Sequence, residues 1–412
     1  MQQILEVNIE NMMKGEKWQI TQGKTKLMSE WRDATWGDLA TLEYGRALRG
    51  YQNQTGPYRV YGTNGPIGYH TEYLYEGPSV IVGRKGAYRG IHYAPDPFFV
   101  IDTAFYLKPK VPLDLRWAYY ELLTHNINDL DSGSAIPSTC RKTFYALPVK
   151  VPSLDEQRAI AAVLGALDDK IESNRRMNET LEAMARAIFR DWFVDFGPTR
   201  AKMEGREPYL APEIWNLFPD LLDDEGKPEG WEDRPVSDFA TIKGGKQLSK
   251  ENITAHGPVP VFGGAGLMGY TAVHNADGYV ISVGRVGAYC GRFFAYRGKA
   301  WINNNASLIT PKDSIPGEWL LLALQELDID LIKKGAAQPF VSNSDISAMK
   351  VVYPGERVLA AFQNTIIDLM LFRERNEIES RTLAQIRDLL LPKLMSGEIR
   401  VREAEKQVGK QI

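Results

Sequence analysis

Residues 82–90, VGRKGAYRG, recur almost unchanged about 200 positions later as residues 283–291, VGRVGAYCG. The repeat is much longer than this segment, since DLATL at 38–42 corresponds to DFATI at 238–242. An offset of this size exceeds the roughly 20 to 50 residues of a solenoid unit. The chain therefore contains two copies of a larger unit. Such an object suits a partner with two separated, similar surfaces, and duplex DNA with two half-sites is the leading candidate.

Composition narrows the class of protein. A chain of 412 residues with 44% hydrophobic and 25% charged residues allows about two to three folded domains. The net charge of −3 argues against a protein that coats DNA non-specifically, although a local basic face on either domain remains open. Cys140 and Cys290 lie outside any Cys/His cluster, which excludes a disulfide framework and predicts a reducing, cytoplasmic location. No apolar run approaches the roughly 18 residues that span a bilayer, so no membrane is expected.

The sequence predicts an α+β fold with two repeated mixed α/β domains, each followed by a long helix. In both copies, Gly, Pro and Asn separate short strand-like runs, and a helical stretch near 115–124 or 319–327 precedes a polar loop at 131–141 or 334–344. Residues 1–27 lie outside the repeat, and whether they belong to the native protein is left open. The predicted segments are a tail at 1–30, a domain at 31–153, a helix at 154–196, a linker at 197–230, a domain at 231–354, a helix at 355–397 and a tail at 398–412.

The two predicted helices carry matching heptad seams. Apolar residues between 155 and 193 are spaced alternately three and four apart, and the same spacing recurs between 362 and 394. Polar residues interrupt both seams at equivalent positions: Asn174 and Asn178 in the first, Asn376 and Ser380 in the second. If the helices pair antiparallel about a pseudo-two-fold axis, Asn178 meets Asn376 and Asn174 meets Ser380 in a central polar layer. The alternative is that each helix packs only on its own domain.

The sequence contains short matches to cofactor motifs, but the residues around them do not form the structure that such a site needs. Residues 264–269, GAGLMG, match GxGxxG, but a strand and a turn follow instead of the helix that a dinucleotide site needs. The phosphate-binding pattern GxxxxGK[ST] is absent, and the five histidines do not group at metal-ligand spacing. We expect no catalytic residues, no metal and no cofactor in this chain, which is then not an enzyme by itself.

Two stretches resemble a known family. Residues 155–171, DEQRAIAAVLGALDDKI, and residues 391–399, LPKLMSGEI, resemble the conserved helices of type I restriction–modification specificity subunits, and the similarity in order and spacing extends over about residues 31–400. The resemblance implies two target-recognition domains that each recognise half of a split double-stranded DNA target. It also implies helices that dock two methyltransferase subunits.

The same resemblance places the chemistry in partners. S-adenosylmethionine binds the methyltransferase subunits, which methylate adenine, and ATP and Mg²⁺ belong to partner subunits that include an ATP-dependent translocase–nuclease where one is present. Two alternatives stay open: a stand-alone DNA-binding or architectural protein with two modules, and a scaffold that binds only protein.

The internal repeat divides the candidate DNA contacts into phosphate contacts and base readers. Residues identical in both halves cannot distinguish different half-sites, so Arg84 and Arg285 are predicted to position phosphate, with pairing inside their own domain as an equal alternative. Base readers are expected where the halves differ, since Asn, Gln and Arg can pair with base edges, and the alternative for each is a solvated loop side chain. The candidates are Gln52, Asn53, Asn64, Lys85, Arg89, Ser138, Thr139 and Arg141 in the first domain, and Lys246, His256, Asn303, Asn304, Asn305, Gln338, Ser342 and Asn343 in the second.

Overall fold

The chain divides into two compact units, and each long helix contributes to both. The computed structural model describes residues 31–51, 55–131, 133, 136–287, 289–335 and 338–408. One unit comprises the described residues up to Lys170 together with those from Thr382 onward, and the other is Ile171–Arg381. Each unit holds one mixed domain and one segment from each of the two long helices.

The described residues of the first domain form nine short strands in three sheets. Its strands are β1 Arg32–Thr35, β2 Ala40–Tyr44, β3 Tyr58–Gly62, β4 Gly65–His70, β5 Ser79–Gly83, β6 Ile91–Ala94, β7 Phe98–Val100, β8 Ala104–Pro109 and β9 Pro148–Val151. An antiparallel sheet has the order β2-β8-β5-β6, a second has the order β4-β3-β7 with β7 parallel to β3, and β1 pairs with β9. All five residues of β5 are buried, as expected for a β-branched run covered on both faces.

The described part of the first domain also contains the α-helices α1 Trp36–Leu39, α2 Leu115–Leu123 and α3 Arg141–Tyr145 and a 3-10 helix at Ile127–Asp129. Asp114 begins α2 by accepting hydrogen bonds from the backbone N–H groups of Arg116 and Trp117. This helix confirms the helical stretch predicted near 115–124. The predicted loop at 131–141 ends one residue earlier than expected, because Arg141 is the first residue of α3.

The long helix α4, Leu154–Phe193, follows directly. The segment after it contains two short helices, α5 Gly197–Met203 and α6 Pro212–Trp215. Phe218 from this segment is buried, and its ring packs edge-on against Trp192 with the centroids 5.1 Å apart. The linker at 197–230 is therefore packed against the helix that precedes it.

The second domain repeats the topology of the first. Its strands are β10 Glu232–Pro235, β11 Ala240–Gly244, β12 Val259–Gly263, β13 Gly266–Thr271, β14 Tyr279–Gly284, β15 Phe293–Arg297, β16 Trp301–Ile302, β17 Ala306–Pro311 and β18 Lys350–Tyr353. Their sheets are β11-β17-β14-β15, β13-β12-β16 and β10-β18, strand for strand as in the first domain. The helices are α7 Gly317–Glu326 and α8 Asn343–Ala348. The internal repeat is thus a repeat of fold.

The glycine-rich stretch at 264–269 forms a hairpin. Strands β12 and β13 pair antiparallel from Val259–Thr271 to Gly263–Gly266. Gly266 begins β13 with a φ of 100°, a conformation that L side chains rarely adopt. A turn and a strand therefore follow the first glycine, as the sequence predicts.

The second long helix, α9 Glu356–Ser396, pairs antiparallel with α4 inside each unit, and α10 Val401–Val408 follows it. In the unit Ile171–Arg381, Asn376 Nδ2 donates to Asn178 Oδ1 over 2.9 Å, and Asn174 Nδ2 donates to Ser380 Oγ over 3.2 Å. These are the two contacts that the seams predict. Asn174 and Asn178 of α4 correspond to Asn376 and Ser380 of α9, so exchanging the two helices turns each of these contacts into the other. The polar layer therefore has local two-fold symmetry.

The first unit adds a contact between domain and helix pair. Asp168 of α4 accepts a hydrogen bond from the Tyr120 hydroxyl over 2.6 Å and pairs with Arg387 Nη1 of α9 over 2.7 Å. In this unit, then, α4 packs on its own domain as well as against α9. Within the described residues, no helix is long and apolar enough to cross a membrane.

Candidate nucleic-acid interface

Arg84 directly follows β5, and hydrogen bonds hold both its backbone N–H and its carbonyl group. Its N–H donates to the Thr103 carbonyl oxygen over 2.9 Å, and its own carbonyl accepts from the Thr139 N–H over 2.9 Å. Arg84 Nη1 donates to the Asp102 carbonyl oxygen over 2.8 Å. The side chain is half-buried, so its remaining guanidinium N–H groups can meet a ligand from solvent.

A second arginine and an exposed tyrosine lie beside Arg84. The Cζ atoms of Arg84 and Arg141 are 4.8 and 5.0 Å from the centroid of the Tyr44 ring. Tyr44 is 51% exposed, and its ring also packs edge-on against Phe105 with the centroids 5.0 Å apart. We call Tyr44, Arg84, Phe105 and Arg141 the arginine–tyrosine cluster. Two positive charges at the solvent edge, held against an aromatic ring, fit an anionic polymer with aromatic bases.

The repeated glycines around the arginine are required by the backbone. A Cβ added to Gly83 would lie 2.6 Å from the Thr63 carbonyl oxygen, and one added to Gly284 would lie 2.5 Å from the Tyr289 carbonyl oxygen. Gly86 and Gly287 have φ angles of 120° and 83°. Much of the repeated segment is therefore explained by the turn itself.

In the second domain, equivalent backbone hydrogen bonds hold Arg285, but the side chains around it differ from those around Arg84. The Arg285 N–H donates to the Asn305 carbonyl oxygen over 3.1 Å, and the Arg285 carbonyl accepts from the Val341 N–H over 3.0 Å. A Cβ added to Gly244 would lie 3.5 Å from Arg285 Nη1. The buried Nε of Arg285 has no hydrogen-bond partner among the residues that the structure describes.

A serine–asparagine pair stands near this second arginine. The Ser307 hydroxyl donates to Asn343 Oδ1 over 2.5 Å. Asn343 is the first residue of α8, as Arg141 is the first residue of α3. The environment of the arginine is thus aromatic and cationic in the first domain and small and polar in the second.

Three of the predicted contact residues lie inside their domains. Arg89 is 5% exposed and donates from Nη1 to the Gly86 carbonyl oxygen and from Nη2 to the Asn128 carbonyl oxygen. Thr139 is buried, and its hydroxyl donates to the Gly83 carbonyl oxygen over 2.7 Å. Asn303 is buried, and its Oδ1 accepts from the Asn304 N–H over 2.8 Å. A base contact by any of them requires these internal bonds to be given up, so their placement favours a structural role.

The other candidates reach the surface to different degrees. Lys85 is half-buried and lies 3.9 Å from Asp102 Oδ2, and the Ser342 hydroxyl caps α8 by accepting from the Asp345 N–H. Ser138, Arg141 and Asn343 are half-buried as well. The exposed candidates are Asn64, Lys246, His256, Asn304, Asn305 and Gln338. Gln52 and Asn53 lie outside the described residues.

Sequence reasoning missed Tyr44, although a signal for it was present. Tyr44 lies where the halves differ, since the second domain has Gly244, and the other candidate base readers share this property. Tyrosine does not form paired hydrogen bonds with base edges, so residue type alone does not predict it. Among the described residues, no group of three or more His, Cys, Asp or Glu side chains is placed to hold a metal ion.

A thiol lies next to the cluster. Cys140 is half-buried between Thr139 and Arg141, whereas Cys290 is buried. Hydrogen bonding to Thr143 holds the pKa of the Cys140 thiol below its usual value. Cys140 therefore offers a chemical probe beside the candidate interface.

Comparison with known proteins assigns the repeat. A family model described as the type I restriction modification DNA specificity domain matches residues 28–183 and again residues 228–387. The two matches span well over half of the chain and cover one copy of the repeat each. The chain belongs to this family.

Named type I specificity subunits are similar to it along most of their length. The type I restriction enzyme HindI specificity subunit of Haemophilus influenzae is 26% identical over 374 residues, covering 73% of this chain and 81% of that protein. The type I restriction enzyme MjaIX specificity subunit of Methanocaldococcus jannaschii is 26% identical over 325 residues, covering 72% and 71%. The crystal structure of a type I restriction–modification S subunit from M. genitalium covers 90% of this chain and 98% of its own, with a TM-score of 0.56 and 21% identity. This last likeness concerns the fold.

Proposed function

We propose that this specificity-family chain reads a bipartite DNA target, one half-site through each domain, with the faces around Arg84 and Arg285 as the contact surfaces. One observation carries the proposal. Both domains hold an arginine in the same backbone framework, but the side chains beside it differ, with Tyr44 and Arg141 in one and Gly244 and Asn343 in the other. A shared framework with different surroundings suits a common phosphate contact beside different base readers.

The charge distribution supports specific rather than general DNA binding. The whole chain is slightly acidic, whereas Arg84 and Arg141 place two positive charges at one exposed ring. Only a few phosphates can be neutralised by so small a cluster, and the dependence of affinity on salt grows with that number. We therefore expect weak binding to random duplex and a shallow salt dependence for the chain alone.

The catalytic steps belong to partners in this proposal. The relatives carry the names of restriction enzyme specificity subunits, and we infer that two methyltransferase subunits dock on the long helices of this chain. S-adenosylmethionine then binds those subunits, while ATP and Mg²⁺ serve restriction and translocase subunits where these are present. The chain alone transfers no methyl group and cuts no DNA. A cytoplasmic location stays a prediction that cell fractionation would test.

The test exchanges one domain and maps the modified DNA. Residues 31–153 are replaced with the corresponding domain of a relative, and the variant is co-expressed with its partner methyltransferase in a host that lacks other adenine methylation. One half of the methylated target should change and the other half should persist. The matched control exchanges residues 231–354 and should change the opposite half. Methylation by the purified chain alone contradicts the assignment of chemistry to partners, and a simultaneous change in both halves contradicts modular reading.

Binding measured with and without the methyltransferase separates the alternatives. A stand-alone DNA-binding protein would select its split target from a random duplex library equally well in both cases. A protein-only scaffold would select no sequence even with its partner. The proposal expects selection of a split sequence that strengthens when the methyltransferase is added.

A further inference from the structure

We propose that Arg141, held by Tyr44, recognises a guanine in the first half-site, and that Asn343 recognises an adenine at the equivalent position of the second. This inference rests on the proposed function, because it names the bases that the two domains read beside their common arginine. Tyr44 enters as a positioning residue for Arg141.

The two sites correspond position by position. Tyr44 of β2 lies opposite Phe105 of β8, and in the second domain Gly244 of β11 lies opposite Ser307 of β17. The pairing register alone establishes this equivalence. The cluster positions next to the arginine therefore differ together: an aromatic pair in the first domain is replaced by a glycine and a serine in the second.

The helix position corresponds in the same way. The carbonyl oxygen of Arg84 accepts from the Thr139 N–H, and Arg141 follows two residues later. The carbonyl oxygen of Arg285 accepts from the Val341 N–H, and Asn343 again follows two residues later. Arg141 and Asn343 thus occupy the same place relative to the shared arginine.

The geometry divides the two arginines of the first domain into different roles. Arg84 has its counterpart in Arg285, so its contact cannot distinguish the two half-sites, and a phosphate is its natural ligand. Arg141 is specific to the first domain. Its Nη1 reaches the Leu42 carbonyl oxygen only at 3.4 Å, and no carboxylate among the described residues pairs with its guanidinium. A guanidinium with free N–H groups can donate to both O6 and N7 of guanine.

Tyr44 explains how Arg141 is held ready for that contact. The arginine side chain loses rotamer freedom when it binds, and a ring 5.0 Å from its Cζ restricts this freedom beforehand. The ring is exposed, so it holds the guanidinium at the solvent edge rather than in the core. We therefore expect Tyr44→Phe to behave like the native protein, since the ring is kept. Tyr44→Ala should weaken the same base preference as Arg141→Ala and should also weaken binding to all duplexes, because Arg84 lies over the same ring.

In the second domain, the amide group of Asn343 takes the place that the guanidinium of Arg141 has in the first. The Ser307 hydroxyl donates to Asn343 Oδ1, which settles the orientation of the amide group. The oxygen keeps a second lone pair and the nitrogen keeps its donors, as a paired contact with N6 and N7 of adenine requires.

The experiment measures base preference at every position of both half-sites. The full chain is co-expressed with its partner methyltransferase, the modified target is mapped, and binding is measured on duplexes that carry each base pair in turn. Arg141→Ala should weaken binding to the preferred duplex by about 5- to 150-fold and remove the preference for guanine at one position of the first half-site only. Asn343→Ala should likewise weaken binding and remove the preference for adenine at one position of the second half-site only, and a loss that is equal on all duplexes or no loss contradicts the assignment of Asn343.

Two further variants keep the result interpretable. Arg141→Lys retains the charge but loses the planar fork, so guanine preference should fall while binding to other duplexes stays. Tyr73→Ala is the matched control, because Tyr73 is 48% exposed and its ring packs edge-on against Tyr58 with centroids 5.1 Å apart, as Tyr44 does on Phe105. It should change no base preference.

The outcomes separate the inference from the function on which it rests. If the native complex modifies no split target, the proposed function fails. If it does so, but Arg141→Ala weakens all duplexes equally, acts at a position without guanine or changes nothing, the inference is wrong. The same holds if Arg141→Lys keeps full guanine preference or if Tyr73→Ala has the effect of Tyr44→Ala.

Discussion

Replacing Asn376 with leucine should weaken the helix pair in the unit Ile171–Arg381. Asn376 is 5% exposed, and its Nδ2 donates to Asn178 Oδ1 over 2.9 Å. Leucine leaves that half-buried oxygen without this donor, which costs about 1–3 kcal/mol. Leucine also favours the helix over asparagine by roughly 0.5 kcal/mol, so the net loss in the free energy of local opening should be about 0.5–2.5 kcal/mol.

The partner substitution should rescue part of this loss. Asn178→Leu alone leaves Asn376 Nδ2 without its acceptor, and the double variant removes both partners of this hydrogen bond while the bond between Asn174 and Ser380 remains. Replacement of both partners of a buried polar contact is often nearly neutral, so the double variant should be more stable than the sum of the single changes by about 1–2 kcal/mol.

Amide hydrogen exchange measures this locally in α4 and α9, which avoids the assumption that a chain with two units unfolds in one step. Asn364→Leu is the control, since Asn364 lies exposed on α9, and the change tests helix propensity without the polar layer. If Asn376→Leu and Asn364→Leu alter exchange equally, or if the two seam substitutions are additive, the polar layer does not hold the helices as argued.

Three further predictions concern the first unit. The hydrogen bond that His125 Nε2 donates to Glu121 Oε1 over 2.9 Å raises the pKa of His125. The stability that the protonated ring contributes is complete below about pH 6.5 and is lost as pH rises through the raised pKa, so His125→Gln should flatten the fall of the unfolding midpoint over that range, and an unchanged slope contradicts this. Cys140 should react with iodoacetamide faster than buried Cys290, and saturating target duplex should slow its reaction; equal rates with and without the duplex would place the DNA elsewhere. Gly83→Ala should destabilise the unit by roughly 1–3 kcal/mol in chemical denaturation, because the added Cβ would lie 2.6 Å from the Thr63 carbonyl oxygen. A denaturation midpoint equal to that of the native protein would refute this packing argument.

The helices and the repeat could be predicted because their signals are local and periodic. The spacing of Leu164, Leu167 and Leu181 predicts a seam without any knowledge of distant residues, and all three are buried. The polar interruptions then predict the register, and the pairs Asn178–Asn376 and Asn174–Ser380 lie where that register puts them. Repetition within the chain supplied the rest, since the two domains have identical strand orders.

The candidate site was harder to predict, because the direction of a loop side chain depends on partners far along the chain. Arg89 has the chemistry of a base reader, but the carbonyl oxygen of Asn128, 39 residues later, binds its guanidinium inside the domain. Tyr44 and Arg141 are nearly 100 residues apart, and only the folded chain brings the ring and the guanidinium together. Residue type therefore predicted what such a side chain can bind, while packing decided whether it is available.

The composition of the two units has a consequence for the order in which the protein forms during synthesis. The part of α4 that carries Ile160, Leu164 and Leu167 belongs to the unit completed only by residues from Thr382 onward. At about 5–20 residues per second, the ribosome needs roughly 10–40 s to produce the intervening residues 171–381. During that interval α4 can pack on the first domain, but its face that contacts α9 through Asp168 and Arg387 stays exposed, whereas the second unit is already complete in sequence before the first can close. Slow translation of this stretch would prolong the exposure, so codon choice between Ile171 and Arg381 should affect the yield of soluble protein more than the same change placed before Trp31.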